Sequence, residues 1–164
     1  MDSGIDALLA HAAERERHFD GPRALIPALH VAVVTCMDSR IDTFRIFGLE
    51  SGQAHILRNA GGLVTDDMLR SLVLSQRLLQ TREVLLVHHT NCGLHHMNEP
   101  ALRAAIVADT GADPPYAFGS FSDLDEAVRR AITRVREHPL LPHRDGVRGF
   151  VYEVETGRLR EVIV

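Results

Sequence analysis

"REVLLVHHTNCGLHHM", residues 82–97, begins as a strand and ends in a cluster of chemically capable side chains. Val84 to Val87 form an unbroken apolar run, the pattern of a strand covered on both faces. The same pattern stands upstream in "HVAVVTC", residues 30–36, and "QAHILRNAGG", 53–62, reads as a further strand entering a glycine loop. Helical spacing separates these strands. Residues 66–80 repeat Met68, Leu69, Leu72, Val73 and Leu79 behind a cap at Thr65 or Asp66. A short helix is expected in 42–49, closed by Gly48, and another over 99–109. Ser122 with Asp125 resembles a capping box for a helix running to Pro139. The final stretch, 147–164, alternates on either side of "ETGR" and reads as a hairpin. Strands alternating with helices imply an α/β fold: a mostly parallel central sheet, helices on both faces, and an antiparallel edge strand at the C-terminus.

Composition sets the outer limits. The 164 residues fit one domain, 1–164, with an N-terminal helical arm over 1–20. In that arm Ile5, Leu8, Leu9 and Ala12 share a face, and Gly21, Pro22 and Pro27 separate it from the rest. Such an arm can pack on its own domain or on another subunit. Eighteen basic against 22 acidic residues give a formal charge of −4 with no basic stripe, which argues against nucleic acid. No apolar run suits a bilayer span, and the first 20 residues mix acids and bases unlike a signal peptide, so a cytoplasmic location is expected.

Only Cys36 and Cys92 are present, too few for a disulfide framework. In a parallel sheet, ligands gather at the carboxyl ends of strands. Cys36 ends one strand and His88 and His89 end another, so the fold can bring them together with Cys92. Successive strand side chains point to opposite faces, so His88 and His89 do not readily share an ion. His89-x-x-Cys92 spans one tight turn, a common zinc spacing, and Cys36 completes a Cys₂His set with an open fourth position. The spacing alone leaves a second reading open, two inert buried thiols with surface histidines. Cys92 is expected near a helix N-terminus, with His95 and His96 further along that helix. In "CMDSR", 36–40, Arg40 can hold Asp38 ionised in a bidentate pair, poised to accept a hydrogen bond from a zinc-bound water. A surface ion pair or helix cap is the plainer alternative.

"CMDSR", then "RNAGG" at 58–62, then "HHTNCG" at 88–93 resemble the β-class carbonic anhydrases in order and spacing, and the general look is similar to the short bacterial branch. The resemblance covers roughly residues 25–164. It implies one zinc per chain on Cys36, His89 and Cys92, with Asp38 and Arg40 as a catalytic dyad. It further implies an active-site cleft lined by Asn59, Gly61 and Gly62. The implied activity is reversible hydration of CO₂ to bicarbonate and a proton through zinc-bound hydroxide, with His95 or His96 as candidate proton carriers. Family members also show a closed form in which the aspartate leaves its arginine for the zinc, inactive at lower pH. A homodimer or a pair of dimers is implied, with Phe44 one candidate for the pocket wall across the subunits. Two departures stand out. No glutamine precedes Cys36 in 21–35, and Asn91 occupies a position where close relatives carry Asp. Hydrolysis of carbonyl sulfide or carbon disulfide would use the same zinc set, and a zinc-stabilised binding domain without catalysis would not need Asp38 and Arg40.

Overall fold

A computed structural model describes residues 3–164. The first two residues of the expected arm lie outside the described residues. In chain order the elements are α1 (Gly4–Glu16), β1 (Val31–Cys36), α2 (Thr43–Phe47), β2 (Ala54–Asn59), a 3₁₀ turn (Ala60–Gly62), α3 (Asp66–Arg77), β3 (Glu83–His89), α4 (Glu99–Thr110), α5 (Leu124–Arg136), β4 (Val147–Tyr152) and β5 (Leu159–Val162). One sheet runs in the order β2-β1-β3-β4-β5. β1 pairs parallel with β2 and β3, β3 parallel with β4, and β4 antiparallel with β5. This is the α/β arrangement the strand and helix spacing imply, with the C-terminal hairpin as its antiparallel edge.

The register places Ala32 and Val34 beside Val84 and Leu86, which pair in turn with Val147 and Gly149. Val151 lies two residues further along β4, beside His88. The apolar side chains among these share a face with Met68, Leu69 and Leu72 of α3 and Val128, Ile132 and Val135 of α5, forming the main core. Gly149 belongs to that face because a Cβ there would collide with Val128 and Ile132 of α5. The chain leaves β1 on one side to reach β2 and returns on the other to reach β3. The switch point therefore lies at the carboxyl end of β1, where ligands gather in such sheets.

Caps explain most helix starts. Thr65 accepts from the Met68 N–H at 3.3 Å, and Gly48 closes α2 in the left-handed conformation at φ 62°. α5 differs from the sequence expectation. Asp123, not Ser122, accepts from the Glu126 N–H at 2.9 Å, and the helix stops at Arg136. The segment after Cys92 also differs, since residues 90–98 form turns rather than a helix. Asn91 and His96 adopt φ values of 53° and 58°, which a right-handed helix does not tolerate. α4 starts only where Asn98 accepts from the Ala101 N–H at 3.1 Å. Among the described residues no helix is long and apolar enough to cross a membrane.

Candidate metal centre

β1 and β3 end side by side, and the turn after β3 brings Cys92 back over them. The ligand atoms of Cys36, His89 and Cys92 all lie within 4.8 Å of one another, and all three residues are buried. His89 Nδ1 stands 2.8 Å from the Thr90 carbonyl, a contact that requires the proton on Nδ1. The bare Nε2 is therefore left facing the two sulfurs, buried and without a hydrogen-bond partner. An unpartnered acceptor in a dry pocket is costly unless something electrophilic meets it. Burial raises the Cys92 thiol, with the neighbouring Cys36 adding to the effect and the Leu94 N–H opposing it. A divalent cation would offset that cost by favouring thiolate, and two soft sulfurs with one imidazole suit zinc. The Gly61 N–H points at Cys36 Sγ from 3.3 Å, a further donor for a charged sulfur.

Asp38 stands beside this group, with Oδ2 3.9 Å from His89 Nε2. Arg40 holds it three ways. Nε donates to Oδ1 at 2.9 Å, a terminal nitrogen donates to Oδ2 at 2.7 Å, and the Arg40 backbone N–H donates to Oδ1 at 2.9 Å. These bonds keep the carboxyl well below the usual carboxylate range, with the Arg40 side chain the largest cause. The same terminal nitrogen donates to the Asn91 carbonyl at 3.0 Å. Asn91 in turn donates from its side chain to Glu155, and Thr90 donates its hydroxyl to the other Glu155 oxygen at 2.7 Å.

Two residues of this scaffold were not singled out from the sequence. Arg58 donates to the carbonyls of Cys36 at 2.9 Å and Asp38 at 2.6 Å, bracing the loop that carries the dyad. It opens the quoted "RNAGG" stretch, which was the available signal. Glu155 gave no signal, since it lies in the β4–β5 turn far along the chain. The other residues of the glycine loop sit against the centre. Gly62 packs on the backbone of Thr35 and Cys36, and Asn59 turns its amide to the Leu63 carbonyl at 2.8 Å. His95 stacks on Phe121 at 5.5 Å, and the His96 ring lies tilted beside it at 4.0 Å. Phe44 is half exposed on α2.

The sequence pattern of the family described as carbonic anhydrase matches residues 31–111. β-carbonic anhydrase 1 of Mycobacterium tuberculosis is 43% identical over 157 residues, covering 96% of each chain. This chain belongs to the β-class carbonic anhydrases. A crystal structure of a carbonic anhydrase from Streptococcus mutans superposes with a TM-score of 0.92 at 40% identity, covering 99% of both chains. A carbon disulfide hydrolase of Acidithiobacillus thiooxidans is 34% identical over 78% of this chain and 74% of its own. Within a β-class carbonic anhydrase, a buried Cys36–His89–Cys92 triad is the typical composition of the zinc site.

Proposed function

We propose that this protein hydrates CO₂ reversibly to bicarbonate and a proton, with one zinc per chain held by Cys36 Sγ, His89 Nε2 and Cys92 Sγ. A zinc ion held there supplies a Lewis acid that brings the pKa of water toward roughly 7. The chain's residues supply orientation. Asp38, kept ionised by Arg40, only accepts hydrogen bonds, so it fixes the direction in which a neighbouring O–H points. Arg40 is fixed in turn by the Asn91 carbonyl, so the dyad is held from two elements. Gly61 steadies the Cys36 sulfur, while Asn59 and Gly62 shape the adjoining cleft wall. The observation that carries this reading is the unpartnered His89 Nε2 between two buried thiols, 3.9 Å from an arginine-locked carboxylate.

The reading extends to assembly and place. We infer a homodimer or larger assembly, because no residue of α1 is buried against its own chain. Two unpaired thiols suit a reducing compartment such as the cytoplasm.

The test is stopped-flow CO₂ hydration with zinc measured on the same sample, for the wild type and Asp38→Ala. The expected result is about one zinc per chain in both proteins, with the rate falling about 100-fold or more in the variant. Full zinc without CO₂ turnover, accompanied by carbon disulfide hydrolysis, would overturn the substrate. An unchanged rate in Asp38→Ala would overturn the role of the dyad.

A further inference from the structure

We propose that Glu155, in the turn between β4 and β5, is a positioning residue for the metal centre. By clamping Thr90 and Asn91 it aims the two carbonyls that orient His89 and Arg40. The proposal rests on the reading of the thiol–imidazole group and the Asp38–Arg40 dyad given above. Glu155 acts on them through the two residues that follow His89.

The two carbonyls have separate tasks. That of Thr90 accepts from His89 Nδ1 at 2.8 Å, which leaves Nε2 bare toward the sulfurs. That of Asn91 accepts from Arg40 at 3.0 Å, from the same nitrogen that donates to Asp38 at 2.7 Å. They stand on either side of the Asn91 α-carbon, so the φ and ψ of Asn91 set the angle between them. Its φ is 53°, and a residue other than glycine keeps left-handed backbone only where its surroundings fix it.

Glu155 does that fixing. One carboxylate oxygen accepts from the Thr90 hydroxyl at 2.7 Å and the other from the Asn91 side-chain amide. Thr90 has further ties to the sheet, since its N–H donates to the Tyr152 carbonyl and its hydroxyl accepts from the Val154 N–H, both at 3.0 Å. Asn91 lies beyond the paired residues of β3, so its side-chain amide depends on Glu155 to reach the turn. The Thr90 hydroxyl is the largest of several causes that hold the Glu155 carboxyl below its ordinary 4.5, so at neutral pH both oxygens only accept. Two accepting oxygens demand donors at 90 and 91, which the hydroxyl and the amide supply. A carboxylate in place of the Asn91 amide would face that of Glu155 and be repelled.

The test compares zinc-loaded Glu155→Ala, Glu155→Gln and Glu153→Ala with the wild type. Glu155 is exposed, so its replacement leaves the core untouched. Glu153 is the control, lying in the same turn with its carboxylate on the Thr156 hydroxyl at 2.7 Å. NMR hydrogen exchange of the Arg40 Nε–H reads the positioning, and stopped-flow CO₂ hydration reads its consequence. In Glu155→Ala the Arg40 Nε–H should exchange about tenfold faster and kcat/KM should fall about tenfold, with zinc content unchanged. Glu155→Gln should recover most of both, because its amide can accept from Asn91 and donate to the Thr90 hydroxyl. Glu153→Ala should match the wild type. Asn91→Asp should behave as Glu155→Ala does, and adding Glu155→Gln to it should restore Arg40 protection. Unchanged Arg40 exchange in Glu155→Ala, or an equal rise in Glu153→Ala, would overturn the proposal. The exchange measurement does not depend on the substrate. A zinc-loaded wild type that fails to hydrate CO₂, yet loses Arg40 protection in Glu155→Ala, would overturn the proposed activity and uphold the positioning.

Discussion

Gly62 has φ +65°, and a Cβ there would stand 2.9 Å from the Cys36 backbone nitrogen and 2.9 Å from the Thr35 carbonyl carbon. Those are main-chain atoms of β1, which cannot step aside without moving Cys36. At Gly61 the equivalent Cβ meets Leu94 Cδ1 at 2.6 Å, the far end of a side chain that can rotate. Both substitutions carry the left-handed backbone cost of about 1–3 kcal/mol, but only Gly62→Ala adds a main-chain collision. Gly62→Ala is therefore expected to lower the denaturation midpoint and zinc content together, and Gly61→Ala to lower the midpoint less and keep its zinc. Equal effects in chemical denaturation and metal analysis would refute the distinction. Residues of this kind differ in how far sequence reveals them. Cys36, His89 and Cys92 could be brought together from the sequence because parallel strands end side by side. Spacing alone left two inert thiols open, and the resemblance to the β-class carbonic anhydrases decided the set. Arg58 was not legible, because its partners are the carbonyls of Cys36 and Asp38, and a backbone acceptor leaves no mark on composition.

At the scale of elements, Glu99 joins α4 to the strap that leads into Phe121. Its carboxylate accepts from the backbone N–H groups of Phe118 at 2.8 Å, Gly119 at 3.1 Å and Ser120 at 3.2 Å. The Phe118 bond, followed by that of Ser120, holds the Glu99 carboxyl below its ordinary 4.5. A folded pKa lower than the unfolded one means the stabilisation is complete above about 4.5 and is lost as pH falls through the lower folded value. Hydrogen exchange should therefore show these three amides losing protection on acidification within that window. In Glu99→Ala they should exchange about tenfold faster at neutral pH, with no further loss on acidification. Unchanged protection in the variant would show that the strap is held by packing alone. The strands were readable from their apolar runs, since burial on both faces admits little else. The turns at 90–98 were not, because Asn91 and His96 are residue types that helices also accept. Only the register of Thr90 and Asn91 with Glu155 shows why the chain bends there.

At the scale of the molecule, the question is what α1 covers. Ser3 and Asp6 form a reciprocal capping box, with Asp6 N–H to Ser3 Oγ and Ser3 N–H to the Asp6 carboxylate both at 3.1 Å. The helix is thus well started, yet Ile5 is 68%, Leu8 70% and Leu9 61% exposed. Periodicity in the sequence showed the apolar face but not its partner, because the 3.6-residue pattern is the same whether a helix docks on its own sheet or on another chain. The structure leaves that face bare, and Phe19 and Leu25 beyond it are 71% and 79% exposed. Several large apolar side chains close together in sequence are the mark of an interaction surface. In a two-fold dimer each arm is used twice, so Leu8→Glu with Leu9→Glu removes four leucines from the interface. Each buried leucine contributes about 1.5–3 kcal/mol, so the dissociation constant should rise by more than about 1,000-fold. Sedimentation equilibrium should find the wild type at a multiple of 18.2 kDa and the double variant at 18.2 kDa at the same concentration. Circular dichroism matching the wild type would exclude unfolding as the cause. A wild-type chain already sedimenting at 18.2 kDa, or a variant that assembles as tightly, would show that α1 does not join subunits.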